Sequence, residues 1–136
     1  MTPLANELFL DYYDCYKNGW TYDQLSSHPL SKGRNIYFHV TSPKDVDHIL
    51  NKGLIKGRKN GVHLAKYLPT ALTYASNFLN SVECPIFAFN LYDFSASDLS
   101  KALEYPPCKK TILYPDNIDK KYIIAQTVLP TSKIGH

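Results

Sequence analysis

The amino-acid sequence predicts an α+β fold on three observations. Apolar residues near the N-terminus recur at helical spacing. From residue 35 onward, short β-branched and aromatic runs alternate with short capped helices. Gly, Pro, Asn and Ser clusters separate the segments. With 136 residues, the chain fits one compact body that buries about two-thirds of its unfolded surface. Helices come first, then strands with short helices between them, which is the α+β order. Residues 1–34 are expected to form an N-terminal helical extension and residues 35–136 the main domain.

Each element has its own signal. Pro3 to Lys17 reads as a helix, with Leu4, Leu8, Tyr12 and Cys15 on one face, and Asn18-Gly19 stops it. Thr21 caps a short second helix to Ser27, and residues 26–33 form a loop rich in turn formers. Asn35 to Thr41 is dense in β-branched and aromatic residues and reads as a strand. Ser42-Pro-Lys-Asp45 has the signature of a capping box opening a helix that carries Val46, Ile49 and Leu50 and ends at Gly53. Lys56 to Gly61 is a basic turn, Gly61 to Ala65 a short strand, and Thr70 to Leu79 an amphipathic helix. Pro85 to Tyr92 is apolar almost throughout, the mark of a strand buried on both faces. Ser95-Ala-Ser-Asp98 is a second capping-box pattern, predicting a helix to about Tyr105. Thr111 to Tyr114 and Tyr122 to Leu129 are the closing strands, with Pro130 ending the second.

Composition narrows the function. Hydrophobic residues at 44% and charged residues at 20% exclude wholesale disorder. The net charge is +3 and the only arginines are Arg34 and Arg58, too few for a reader of duplex DNA that needs bidentate base contacts. Lysine contacts and stacking on the 11 tyrosines leave single-strand binding open. No apolar run approaches a membrane span, and the first residues lack the basic and apolar regions of a secretory signal. Cys15, Cys84 and Cys108 are odd in number and form no C-x-x-C pair, so a reducing compartment is expected and the location reads as cytoplasmic, with no membrane partner. Phosphate-loop, dinucleotide-fingerprint, nucleophile-elbow and Cys/His metal spacings are absent.

Three places hold residues suited to chemistry. His39-Val40-Thr41 ends a strand just before a capped helix, where backbone N–H groups favour phosphate or a ribose hydroxyl. The alternative for His39 is a half-buried histidine that merely closes the strand. His63, with Tyr67 and Tyr74, forms the second group: strand, turn and helix can fold back so that flat rings make a slot for a planar heterocycle. Tyr74 as a plain core aromatic of an amphipathic helix fits the periodicity equally well. The third group is basic: Lys52, Lys56, Arg58 and Lys59, with Lys109-Lys110 and Lys120-Lys121 elsewhere. Such runs neutralise phosphate or simply form a solvated face.

In their order these segments resemble the ADP-ribosyltransferase fold. Tyr37-Phe-His-Val-Thr-Ser42 is similar to its opening strand, which ends in a histidine, a spacer and Thr or Ser. Ile49-Leu-Asn-Lys-Gly-Leu54 resembles a segment common to DarT-like toxins and tRNA 2′-phosphotransferases. Gly61-Val-His-Leu-Ala65 is similar to the second strand of the phosphotransferases, and Tyr122 to Ile134 resembles the family's closing strand and turn. The resemblance implies a split β core with a cleft between two small sheets. It also implies NAD as cofactor and transfer of ADP-ribose to a protein, a nucleic acid or an RNA 2′-phosphate. His39, Val40, Thr41, His63, Tyr67 and Tyr74 are then the NAD-binding residues, and His39, His63 and Asp119 the catalytic ones. Most transferases of this fold carry a glutamate where the closing strand begins. Here the stretch reads Asp119-Lys-Lys-Tyr122, and Asp119 is the nearest acid. The phosphotransferases act without that glutamate but use two arginines, of which Arg34 is the only candidate before His39. A non-catalytic member serving as a nucleotide or signal receptor, or as a protein-binding module, is the alternative.

Overall fold

A computed structural model of the chain describes residues 5–56, 61–78, 82–95, 97, 103–104 and 111–131. Two helices, α1 (Asn6–Lys17) and α2 (Tyr22–Ser26), precede β1 (Ile36–Val40). A 3-10 turn (Pro43–Asp45) leads into α3 (Val46–Lys52), followed by β2 (Val62–Ala65), α4 (Leu68–Phe78) and β3 (Glu83–Asn90). The chain continues through β4 (Leu103–Glu104), β5 (Thr111–Tyr114), a second 3-10 turn (Lys120–Tyr122) and β6 (Ile123–Pro130). The strands form one sheet in the order β4-β5-β2-β1-β3-β6, and every pairing is antiparallel. The fold is α+β, as expected. In place of the two small sheets there is one sheet, narrowed where β1 meets β2.

Both faces of this sheet are covered, because strand alternation sends neighbouring side chains to opposite sides. On one face Phe38, Val40, Ala65, Ile86 and Ala88 pack with Phe9 and Tyr12 of α1 and with Leu68, Leu72 and Ala75 of α4. On the other, Tyr37, Phe87, Phe89 and Leu64 pack with Ile49 of α3 and with Leu54, Ile118 and Tyr122. β3 is buried along nearly its whole length, so its unbroken apolar run is explained. Burial leaves the Cys84 thiol raised to about 11, the behaviour of a core residue rather than a nucleophile.

Several local expectations shift. α1 buries Phe9 and Tyr12 while Leu8 and Cys15 are only partly covered, so its buried face is rotated from the one the spacing suggested. Thr21 does form a capping box: its Oγ accepts from the Gln24 N–H, and Gln24 Oε1 accepts from the Thr21 N–H. Ser42 and Asp45 do not; the Ser42 hydroxyl donates to Asp45 Oδ2 at 3.0 Å instead. The helix expected up to Tyr105 is contradicted at its end, since Leu103 and Glu104 form β4 beside β5. A local capping pattern yields there to the hydrogen bonds of an open strand edge. Leu4, Arg58, Lys59, Leu79, Cys108, Lys109, Lys110 and Ile134 lie outside the described residues.

The loop between α2 and β1 is clasped by His28, which is almost wholly buried. The Leu30 N–H donates to His28 Nδ1 at 3.0 Å, so the proton sits on Nε2, which donates to Asp11 Oδ2 at 2.7 Å. Asp11, Cys15 and His28 together offer ligand atoms within 4.8 Å of one another. A metal on Nε2 would move the ring proton to Nδ1, against the Leu30 N–H. The group therefore acts as a loop clasp.

Candidate functional site: a fork between two strands

β1 runs in register with β3 over its whole length, Ile36 to Val40. It meets β2 at one pair, Phe38 with Ala65. Carried on, that register would set Val40 opposite His63. The strands part instead, and the His39 ring fills the opening. His39 Nδ1 lies 2.7 Å from the carbonyl oxygen of His63. A carbonyl only accepts, so Nδ1 carries the hydrogen and donates it. An imidazole thus stands where a ladder hydrogen bond would otherwise run, and it props the fork open.

The same bond fixes what His39 can do. With the proton on Nδ1, the neutral ring keeps Nε2 as an acceptor. Burial lowers the His39 pKa from its ordinary 6.5; the His63 carbonyl and Asp45 pull upward without overcoming burial. His39 is therefore neutral at pH 7.

The fork opens into two adjoining cavities. One, about 160 Å³, is lined by Val40, Ser42, Ala65, Ala71 and Tyr74. The other, about 230 Å³, is lined by His48, Ile49, Gly53, Leu54 and Val62. His39, Thr41, Asp45 and His63 border both. Thr41 is buried, and its N–H donates to the Pro85 carbonyl at 3.1 Å, which holds the strand end against β3. His63 and Tyr74 are neighbours in the cavity lining, with ring centroids 5.7 Å apart and planes tilted by 33°. A sandwiched heterocycle needs two carbon–carbon contact distances, about 7 Å. The two rings therefore form one continuous wall and not the open slot expected of them.

His39, Val40, Thr41, His63 and Tyr74 are brought together, but two of the expected residues are not. Tyr67 precedes α4, which starts at Leu68, and its ring packs edge-on against Tyr22 at 4.0 Å. Asp119 is exposed and accepts from the Lys121 N–H at 2.8 Å, capping the second 3-10 turn. It lines neither cavity. Arg34 lies at the opposite end of β1, away from His39. The acid that does border the cleft is Asp45. Its three-residue interval from Ser42 carries the capping signature that hid it, although Asp45 is six residues past His39 on a tight turn. The chain matches no protein-family model and no curated protein.

The depressed His39 pKa has a definite sign in stability. As pH falls below about 6.5, the unfolded chain takes up this proton before the folded protein does. The stability tied to neutral His39 is thus intact above 6.5, declines as pH falls, and is fully lost below the folded pKa. Urea midpoints at pH 7.5 and 5.5 check this. Wild type is expected to lose more between them than His39→Asn, and equal losses would show that His39 titrates normally.

Proposed function

We propose that the forked cleft binds NAD and that the protein transfers ADP-ribose from it to a macromolecular acceptor. The observation that carries this reading is the bond from His39 Nδ1 to the His63 carbonyl. It presents a neutral ring whose remaining nitrogen accepts, and ribose hydroxyls are donors that fit it. Thr41 and Ser42 add hydroxyls beside it, and the His63–Tyr74 wall offers a flat apolar surface for nicotinamide. Two cavities that meet at His39 suit a ligand with two halves. In the reaction, the bond between ribose C1′ and the nicotinamide nitrogen breaks, and its electron pair leaves with nicotinamide. An acceptor oxygen or nitrogen then bonds to C1′ and loses its proton. The carboxylate of Asp45 takes the role first expected of Asp119, stabilising positive charge at the ribose.

A receptor that holds NAD without turnover is the second reading, favoured by the engagement of Asp119 in a turn. Incubation with NAD labelled in the ADP-ribose half separates the two. Nicotinamide release with label transfer supports the transferase; binding without release supports the receptor; no binding ends both. Asp45→Asn is expected to lower turnover a hundred- to a thousand-fold, as loss of one transition-state contact does, while affinity stays within a few-fold.

Stacking on the ring wall gives a separate expectation. Tyr74→Ala should weaken NAD binding by about 1–3 kcal/mol, the range for base–aromatic stacking, and Tyr74→Phe should be nearly silent. Equal losses in calorimetric titrations of both variants would assign the contact to the hydroxyl instead of the ring.

A further inference from the structure

We infer that a second cavity, at the other end of β1 from the fork, binds a nucleoside monophosphate. It encloses about 490 Å³ between α2, the loop before β1 and the ends of β2 and β3, within the usual range of roughly 300–1,000 Å³ for ligand pockets. Among the described residues, the only lining residue it has in common with the fork is Phe38, a buried core ring. The two sites are therefore separate cavities that meet only at the Phe38 ring.

The lining combines three chemistries. Tyr22 and Tyr92, both exposed, supply aromatic faces on which a base can stack, and the buried Tyr12 lines the floor. Ser26, whose hydroxyl donates to the Asp23 carbonyl at 2.6 Å, and Ser31, hydrogen-bonded to the Tyr12 side chain, keep oxygen lone pairs that can accept from a ribose hydroxyl or a base edge. Arg34 and Lys66 supply two positive charges, and among the described lining residues there is no acid. Arg34 reaches the Pro29 and Leu30 carbonyls only at 3.4 and 3.3 Å, so most of its five donors are left for a phosphate fork. Neither cation forms an ion pair among the described residues. A phosphate alone would leave the tyrosines unused, and a nucleoside alone would leave the two charges without a counter-ion.

The walls are already fixed. The Asn35 N–H donates to Asn90 Oδ1 at 2.9 Å, and Asn35 Nδ2 donates to the Leu91 carbonyl at 3.2 Å, tying the start of β1 to the end of β3. The Tyr22 hydroxyl donates to the Lys66 carbonyl at 3.3 Å, tying α2 to the end of β2. The His28 clasp holds the loop between them. A preformed site loses little on ordering when a ligand enters.

Calorimetric titration with AMP, adenosine and inorganic phosphate tests the assignment, with amide-shift mapping as a second readout. AMP should bind at least ten-fold more tightly than either fragment, with affinity falling as salt rises, and should move the amides of Ser31, Asn35, Ile36 and Lys66. Arg34→Gln and Tyr22→Leu, both on exposed side chains, should each weaken AMP ten-fold or more while NAD affinity at the fork is unchanged. A 5′-phosphorylated tetranucleotide binding more tightly than AMP would mark a strand end as the source of the nucleotide; equal affinity would mark the free nucleotide. The inference is overturned if adenosine or phosphate alone matches AMP, if both variants bind AMP as wild type does, or if AMP moves only amides of the fork.

Discussion

Replacing His39 by Ala is expected to remove ligand binding and to destabilise the fold together. The His63 carbonyl would lose the donor that replaces its ladder bond, and an acceptor left unpaired in a half-buried position costs about 1–3 kcal/mol. Binding would disappear because no other acceptor in the fork sits where the ring nitrogen does. His39→Asn separates the two effects. An asparagine amide N–H can occupy the place of Nδ1 and keep the bond to the carbonyl, but it has nothing at the place of Nε2. Denaturation and NAD titration on both variants should show a near-native midpoint with lost binding for Asn, and both properties lost for Ala. Full NAD affinity in His39→Asn would mean that the ring nitrogen holds nothing.

The second large effect lies at Gly53, which ends α3 with φ of +75° and borders the larger of the two fork cavities. A Cβ there would overlap the Ile118 carbonyl and crowd the Lys120 nitrogen at 2.6 Å and the Asp119 carbonyl carbon at 2.9 Å. These are all backbone atoms, so no side-chain rotation relieves the contact. The adjoining bridge is expected to open, with its two bonds of 2.8 Å between Leu54 and Ile118, both buried. Left-handed backbone strain and two lost hydrogen bonds come to roughly 2–5 kcal/mol, a large share of an ordinary domain's stability. Gly53→Ala should therefore shift the urea midpoint sharply and weaken binding at the fork. An unchanged midpoint would place α3 and the second 3-10 turn further apart than described.

Much of this arrangement could be read from the residues alone. β1 and β3 declared themselves by β-branched and aromatic content, and the histidine at a strand end before Thr-Ser-Pro identified the cleft. What the chain cannot display locally is the partner of that histidine. The His63 carbonyl comes from a strand 24 residues away, and only the parting of β1 and β2 leaves it to be satisfied by a side chain. Tyr67 and Tyr74 are seven residues apart, two helical turns, so both would share a face if both were helical. The helix expected from Thr70 starts two residues earlier, at Leu68, still one residue past Tyr67, whose ring turns to Tyr22. That Asp45 and not Asp119 borders the cleft has a related reason. Both sit at 3-10 turns, and which carboxylate caps backbone and which borders a cavity depends on tertiary neighbours. The buried face of α1 was misplaced because Phe9 meets Phe38, at 5.8 Å between ring centroids, a contact that helical periodicity does not encode.

His39 donates from Nδ1 within the fork, and in the proposed function it offers Nε2 to a bound ribose. The most direct measurement is a long-range ¹⁵N–¹H spectrum of the histidine rings at pH 7, recorded before and after addition of NAD. His39 is expected as the neutral tautomer with hydrogen on Nδ1, with an Nε2 resonance that moves on NAD addition while Nδ1 stays protonated. A hydrogen on Nε2 in the free protein, or an Nε2 resonance indifferent to saturating NAD, would contradict it.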